Sequence, residues 1–116
     1  MDVVEQYARA HIVNDAGRIG EDAAVPVVLR YDPGEPRSVR VGLPDRREWT
    51  FSRALLEQGL RAPAGTGEVR IWPCGRVQAV VEFHSAHGVS VVQFESKTLL
   101  RFLRRTYTAT AQPVTH

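Results

Sequence analysis

Apolar residues recur at every second position along most of this chain, and this period restricts what the chain can fold into. In the plainest stretch, Val25, Val27, Leu29 and Tyr31 share one side while Arg30 lies on the other. Alternation of this kind places successive side chains on opposite faces of an extended strand. Strands are therefore predicted at residues 3–13, 25–31, 38–43, 48–51, 69–72, 77–84 and 89–95.

Turn-forming residues separate these strands. Residues 14–17 read Asn-Asp-Ala-Gly and residues 32–36 read Asp-Pro-Gly-Glu-Pro, both typical of turns, and the polar stretch up to residue 22 is predicted to be a connection. Residues 61–67 contain one proline and two glycines and are predicted to form an irregular loop. Strands joined by short turns predict an antiparallel sheet.

Two segments change to helical spacing. Ser52 is a predicted N-cap for a helix of about two turns that ends near Gly59. Ser96 is a predicted cap for a second helix. Its predicted apolar stripe consists of Leu99, Leu100, Leu103 and Tyr107, and its predicted solvent face consists of Lys97, Arg101, Arg104 and Arg105.

The order of elements is four strands and a helix, then three strands and a helix. This order predicts an α+β fold that is rich in antiparallel strands and is built from two strand-meander-plus-helix units. A length of 116 residues suits one domain, predicted at 1–110 with a flexible tail at 111–116.

Several function classes lack support in the sequence. The apolar runs are strand-sized, whereas a membrane span needs about 20 residues. One cysteine, Cys74, and the lack of a secretory signal predict a cytoplasmic protein. The Gly65–Gly67 segment leads into a strand and not a helix, and His84, His87 and Glu82 are too few for a metal site. We therefore predict no enzyme activity, no cofactor and no bound metal.

Arginine dominates the positive charge. The chain has 15 basic residues, of which Lys97 is the only lysine, and a net charge of +2. The cluster of Arg101, Arg104 and Arg105 would suit an acidic partner or a nucleic-acid backbone, but the solvated face of a helix explains it more simply. The aromatic residues Trp49, Phe51 and Trp72 would suit base stacking, although core packing is favoured.

An ordered set of motifs resembles a known family. Glu48 to Leu56 reads E-W-T-F-S-R-A-L-L, Gly59 to Gly67 reads G-L-R-A-P-A-G-T-G, and Val69 to Pro73 reads V-R-I-W-P. The set is similar to the SsgA-like sporulation and cell-division proteins of actinobacteria, and is closest in style to their SsgB branch. The matching part, with the preceding Leu29 to Asp32, covers about 45 residues.

The resemblance implies a Whirly-like fold that assembles as a homotrimer. It also implies a regulator without catalytic activity that selects sites for sporulation septa. Members similar to SsgB bind the tubulin-like division protein FtsZ, so the implied partners are FtsZ or another SsgA-like protein, and the implied location is the division septum.

The residues themselves suggest which candidates are structural and which bind a partner. The motif residues with a predicted structural role are Tyr31, Trp49, Phe51, Leu55, Leu56, Gly59, Gly65, Gly67, Trp72 and Pro73. Gly65 and Gly67 are predicted to adopt backbone angles that side chains forbid. The candidate partner-binding residues are Arg53, Arg70, Arg101, Arg104 and Arg105, of which the first two would equally suit local pairing with acids.

A single-stranded nucleic acid is the alternative partner. Whirly-like folds elsewhere bind one, and the sequence pI near 9.1 fits this reading. The single lysine and the small net charge argue against it.

Overall fold

The computed structural model describes residues 3–13, 19–44, 46–86 and 88–111. Its elements in chain order are β1 (Val4–Val13), β2 (Ile19–Tyr31), β3 (Ser38–Gly42), β4 (Glu48–Ser52), α1 (Arg53–Gly59), β5 (Ala64–Thr66), β6 (Val69–Cys74), β7 (Gln78–Ser85), β8 (Gly88–Glu95) and α2 (Ser96–Ala111). The predicted α+β class with antiparallel strands is confirmed.

The eight strands of the described residues belong to one antiparallel sheet, in the order β4-β3-β2-β1-β8-β7-β6-β5. Each half of the chain forms a four-stranded meander, and the two meanders join where the first strand of one pairs with the last strand of the other. In that joint Ala10 on β1 lies opposite Phe94 on β8. The predicted duplication is thus present, but each unit contains four strands.

Two predicted connections are strands instead. The stretch up to residue 22 was predicted to be a polar connection, but β2 begins at Ile19, which pairs with Val13, because the hairpin ladder continues past the apolar run. The predicted loop at 61–67 contains β5, which pairs with β6 through Thr66 and Val69. Gly67 has a φ of 59°, as the first position of a type II′ hairpin turn requires. The predicted turn at 14–17 lies outside the described residues.

The hydrophobic core lies between the inner face of the sheet and the two helices. On β1 the even-numbered residues face inward, so Val4, Ala8 and Ala10 are buried while Tyr7 is 68% exposed. The largest fully buried side chains are Tyr31, Phe83, Phe94 and Phe102. The shared side of the alternating stretch in β2 is the buried one, since Val27, Leu29 and Tyr31 are buried. The alternating residues Val39 and Val41 of β3 and Val69 and Ile71 of β6 are buried as well.

The sheet curls strongly, and the aromatic motif residues show it. Trp49 on β4 stacks on Phe83 on β7 with ring centroids 4.8 Å apart, and Phe51 contacts the same ring at 6.2 Å. β4 and β7 are separated by four other strands in the sheet order, so this contact requires the sheet to fold back on itself. Phe51 is buried and Trp49 packs half-buried against the core, as predicted. Trp72 does not belong to the core, because it lies on the outer face of β6 with Arg70, so the prediction of core packing is wrong for that residue.

The first helix begins and packs as its sequence predicts. The Ser52 hydroxyl accepts a hydrogen bond from the Leu55 amide at 2.9 Å, which satisfies one of the free N–H groups of the first turn. Leu55 and Leu56 are buried against the core. This helix connects the two edge strands of the sheet, β4 and β5.

The stripe of the second helix that faces the core differs from the predicted one. Leu99, Phe102, Leu103 and Thr106 are buried, whereas Leu100 is 49% exposed and Tyr107 is 40% exposed. The buried set has the spacing i, i+3, i+4 and i+7, and it includes a phenylalanine that the predicted stripe omitted. Within the described residues, no helix is long and apolar enough to cross a membrane.

Candidate partner-binding surface

Arg53 is half-buried and contacts aromatic side chains of its own chain. Its guanidinium carbon lies 4.0 Å from the ring centroid of Tyr107 and 5.3 Å from that of Tyr31. Its Nη1 donates a hydrogen bond to the Tyr31 hydroxyl at 3.2 Å. A guanidinium over aromatic faces is stabilised by their electron-rich surfaces. Arg53 therefore ties α1 to β2 and α2, and its contact with a partner stays a prediction.

Tyr107 extends this link between the helices. Its hydroxyl donates a hydrogen bond to the Glu57 carboxylate on α1. That hydrogen bond raises the pKa of the Tyr107 hydroxyl above its ordinary value, and burial and the negative charge of Glu57 act in the same direction. α2, which carries three of the five candidate partner-binding arginines, is thus linked to α1 by the neutral hydroxyl of Tyr107.

The outer face of α2 presents a positive surface. We define the basic helix face as Lys97, Leu100, Arg101 and Arg104, all of which are exposed. The sequence of α2 contains no acidic residue. Lys97 lies 3.8 Å from the Glu95 carboxylate, whereas in the described part of the chain Arg101 and Arg104 have no carboxylate within the 4.0 Å of an ion pair. This face offers two guanidinium groups beside an exposed leucine.

Arg105 lies on the flank of that helix and contacts its own chain. Its Nη1 donates to the Glu5 carbonyl oxygen at 3.3 Å and to the Gln6 Oε1 at 3.2 Å. Gln6 in turn donates from Nε2 to the Thr98 carbonyl oxygen at 3.0 Å. These contacts fasten α2 to β1 and fix the direction in which the basic helix face points.

Arg70 is separated from the other four arginines. It lies on the outer face of β6, which is the opposite side of the sheet from α2. The half-buried Trp72 lies two residues further on the same face, and Pro73 is also half-buried. The structure therefore brings Arg101 and Arg104 together, holds Arg53 and Arg105 in internal contacts, and places Arg70 elsewhere.

The glycines of the motifs have different physical roles. Gly67 adopts the predicted positive φ, but Gly65 does not, so that part of the prediction is wrong. Gly65 instead allows a close approach, because a Cβ there would lie 2.9 Å from the Arg70 Cγ and would make that side chain move. This cause does not follow from the sequence, since the pairing of β5 with β6 that brings the two residues together carries no alternating pattern.

Among the described residues, the side chains considered for metal or nucleophilic chemistry do not form a group of three or more potential metal ligands. Cys74 is exposed at the end of β6. The imidazole of His84 forms a hydrogen bond to the Glu82 carboxylate at 2.5 Å. His87 lies outside the described residues.

Comparison with known proteins identifies relatives across most of the chain. Residues 25–113 match the family model described as Streptomyces sporulation and cell division protein, SsgA. The chain is 37% identical over 98 residues to the sporulation-specific cell division protein SsgB of Frankia casuarinae, covering 78% of this chain and 68% of that protein. It is 35% identical over 99 residues to SsgB of Streptomyces coelicolor, covering 79% and 72%.

Two solved structures share the fold. One comes from work on SsgB mutations that correlate to longitudinal cell division during sporulation of Streptomyces coelicolor. It aligns with a TM-score of 0.82 and 31% identity, over 93% of this chain and 86% of that one. The other is an SsgA-like sporulation-specific cell division protein from Thermobifida fusca, with a TM-score of 0.72 and 29% identity, over 96% and 85%. The predicted resemblance is confirmed.

Proposed function

Since this chain belongs to the SsgA family of sporulation and cell division proteins, we propose that it recruits the division protein FtsZ to future septum sites. It acts there as a regulator without catalytic activity, through protein–protein contacts. Relatives at 35% and 37% identity are named sporulation-specific cell division proteins, which supports a role in septation.

The basic helix face is the observation that carries the proposal. Arg101 and Arg104 lie one turn apart on α2, exposed and without carboxylate partners among the described residues, with Leu100 exposed at 49% beside them. An acidic surface that carries an apolar group complements this arrangement in charge and in shape. Complementary charge speeds encounter and orients the partners, and the buried apolar contact prolongs the complex.

Co-sedimentation tests the proposal directly. The purified chain is mixed with FtsZ polymers, centrifuged, and compared with a protein of the same size and charge that is unrelated to division. We expect the chain to pellet with the polymers, and a fluorescent fusion to form ladders at septa during sporulation. A chain that stays in the supernatant, together with a diffuse fusion signal, would contradict the proposal.

We further propose a homotrimer as the working form. Val3, which precedes β1, is 52% exposed, and Tyr7 on the outer face of β1 is 68% exposed. A second copy of the chain would bury these side chains. Light scattering over a wide concentration range measures the mass of the assembly. A monomer at high concentration would argue against a trimer.

A single-stranded nucleic acid is the second candidate partner, because the exposed guanidinium groups of Arg101 and Arg104 also suit phosphates. Filter binding with a dT homopolymer at low and moderate salt tests the nucleic-acid candidate. Binding through phosphates weakens steeply as salt rises, whereas a lack of binding at low salt eliminates this candidate.

A further inference from the structure

An open cleft of about 510 Å³ lies at the β5 end of the sheet. It is lined by Pro63, Gly65, Gly67, Arg70, Trp72 and Glu82, among others. Arg70, Trp72 and Glu82 project from the outer face of β6 and β7, so the cleft lies on the other side of the sheet from the basic helix face.

One wall of the cleft is a sheet edge. β5 is the last strand in the sheet order, and among the residues that the structure describes it pairs only with β6. Gly65 and Thr66 are exposed, and the strand is only three residues long. The unpaired side of an edge strand presents backbone N–H and C=O groups that pair with an added strand.

Gly65 lets a charged side chain reach that edge. In the ladder Gly65 lies directly opposite Arg70, so both occupy the same face. A Cβ at position 65 would lie 2.9 Å from the Arg70 Cγ, which shows that the stem of Arg70 leans over the β5 backbone. A side chain at position 65 would close this space.

Arg70 is also not engaged by the carboxylate on its other side. Glu82 is its cross-strand neighbour on β7. Glu82 forms its hydrogen bond with His84, at 2.5 Å, and no ion pair to Arg70 occurs in the described residues. The guanidinium therefore lies in the cleft with its charge available to a ligand.

An apolar surface lies two residues further along the edge. Pro63 precedes Ala64 and Trp72 follows Ile71, so the two residues flank the last pair of the ladder, Ala64 with Ile71. Trp72 is half-buried and lines the cleft together with Pro63. Charge and apolar surface are thus spaced by one full period of a strand.

We propose that the β5 edge binds an extended partner segment as a ninth strand of the sheet. The residue opposite Gly65 carries a carboxylate that meets Arg70, and a residue two positions away is apolar and packs on Pro63 and Trp72. Neighbouring strands lie about 4.8 Å apart. β6 and the added strand are separated by two such spacings, which the long side chains of an arginine on β6 and a glutamate on the added strand span together across β5. This site does not depend on the proposed recruitment of FtsZ, which uses the other side of the molecule.

The test uses the capped peptide Thr-Val-Thr-Glu-Thr-Val-Thr, whose central glutamate has a valine two residues away in both directions. It is titrated into the isotope-labelled chain while the amide signals are followed by NMR. We expect shifts concentrated at residues 64–72, and at least about fivefold weaker binding when glutamine replaces the glutamate. Two further peptides test the backbone pairing. In each of them every second backbone nitrogen is methylated, and the two sets of positions alternate, so only one peptide loses the N–H groups that face β5.

The Arg70→Gln variant should bind the glutamate and the glutamine peptides equally. The matched control variant Arg9→Gln, at an exposed strand position on β1, should keep the difference in affinity between these two peptides. The double variant Arg101→Glu/Arg104→Glu should bind the peptide as the parent does. The proposal is overturned by a lack of shifts at residues 64–72, by equal binding of both peptides to the parent, or by N-methylation that has no effect at either set of positions.

Discussion

Gly59, the last residue of α1, lies directly on Ile71 of β6: a Cβ at position 59 would be 2.4 Å from the Ile71 Cβ and 2.5 Å from its Cγ2. The backbone of Gly59 is not in the positive-φ region. The glycine is therefore required for close approach of helix and strand, and not for the helix stop that its position suggests. This contact holds β6, in the second meander, against α1, the helix that follows the first meander.

We expect Gly59→Ala to destabilise the chain by about 1–3 kcal/mol, because the new methyl group overpacks a contact made by branched atoms near the backbone. Helix propensity alone would favour alanine by up to about 1 kcal/mol. Urea unfolding of both proteins measures the difference. The control Ala54→Gly, at an exposed position of the same helix, reports the propensity effect by itself. A Gly59→Ala variant more stable than the parent would refute the packing argument.

The predicted strands are confirmed where one face of the strand is buried. The prediction failed for β5, which is a very short strand in a local hairpin. Period-two stretches such as Val25 to Tyr31 are confirmed because burial of one face dictates both pattern and structure. β5 was missed because three residues, one of them glycine, carry no apolar alternation. Its pairing depends on Gly67 at the turn, and this hairpin turn is not visible in a hydrophobic pattern.

The contact between Trp49 and Phe83 should be a main determinant of stability, since it joins strands far apart in the sheet order. Phe83 is fully buried, and we expect Phe83→Ala to lower the free energy of unfolding by about 3–5 kcal/mol. Trp72→Ala, on the outer face, should cost clearly less. Chemical unfolding followed by circular dichroism compares them. Equal losses in both variants would contradict the inferred curl of the sheet.

Tyr107 should make stability depend on pH in the alkaline range. Its pKa in the folded chain is raised above the ordinary value of 10.0, chiefly by the hydrogen bond to Glu57. The folded chain thus keeps a proton that the unfolded chain loses, so the stabilisation is complete below pH 10 and disappears as pH rises through the folded pKa. The effect is small because the side chain is 40% exposed.

The substitution Tyr107→Phe isolates this effect. Urea midpoints are measured for parent and variant at about pH 8 and about pH 11, and the difference between the two proteins should shrink at the higher pH. The other tyrosines are common to both proteins and cancel in the comparison. A difference that grows with pH would show that the hydrogen bond does not hold the phenol in its neutral form.

The candidate surface was only partly predictable. The exposed arginines at 101 and 104 follow from helical spacing, because charged side chains take the wet face. The aromatic contacts of Arg53 do not follow from spacing, since Tyr31 and Tyr107 come from distant parts of the chain and meet only in the folded protein. The prediction that Leu100 belongs to the apolar stripe is wrong: leucine usually is buried, but the buried stripe includes Phe102 and leaves Leu100 exposed.

Charge reversal on the basic helix face is expected to weaken FtsZ binding. In Arg101→Glu/Arg104→Glu the two guanidinium groups that would meet acidic groups become repulsive, so the affinity should fall by about tenfold or more. The control Arg37→Glu/Arg76→Glu changes the net charge equally at exposed positions outside α2, and its affinity should stay within about threefold of the parent. Binding is measured by fluorescence anisotropy at two salt concentrations.

The thermal midpoints of both double variants should match the parent, because all four side chains are exposed and surface substitutions rarely alter stability. Leu100→Ala adds an uncharged test of the same face: it should weaken binding about two- to fivefold at either salt concentration, since an apolar contact is not screened. Equal losses in both double variants would mean that FtsZ responds to net charge alone. Unchanged affinity in the α2 double variant would place the docking surface elsewhere on the molecule.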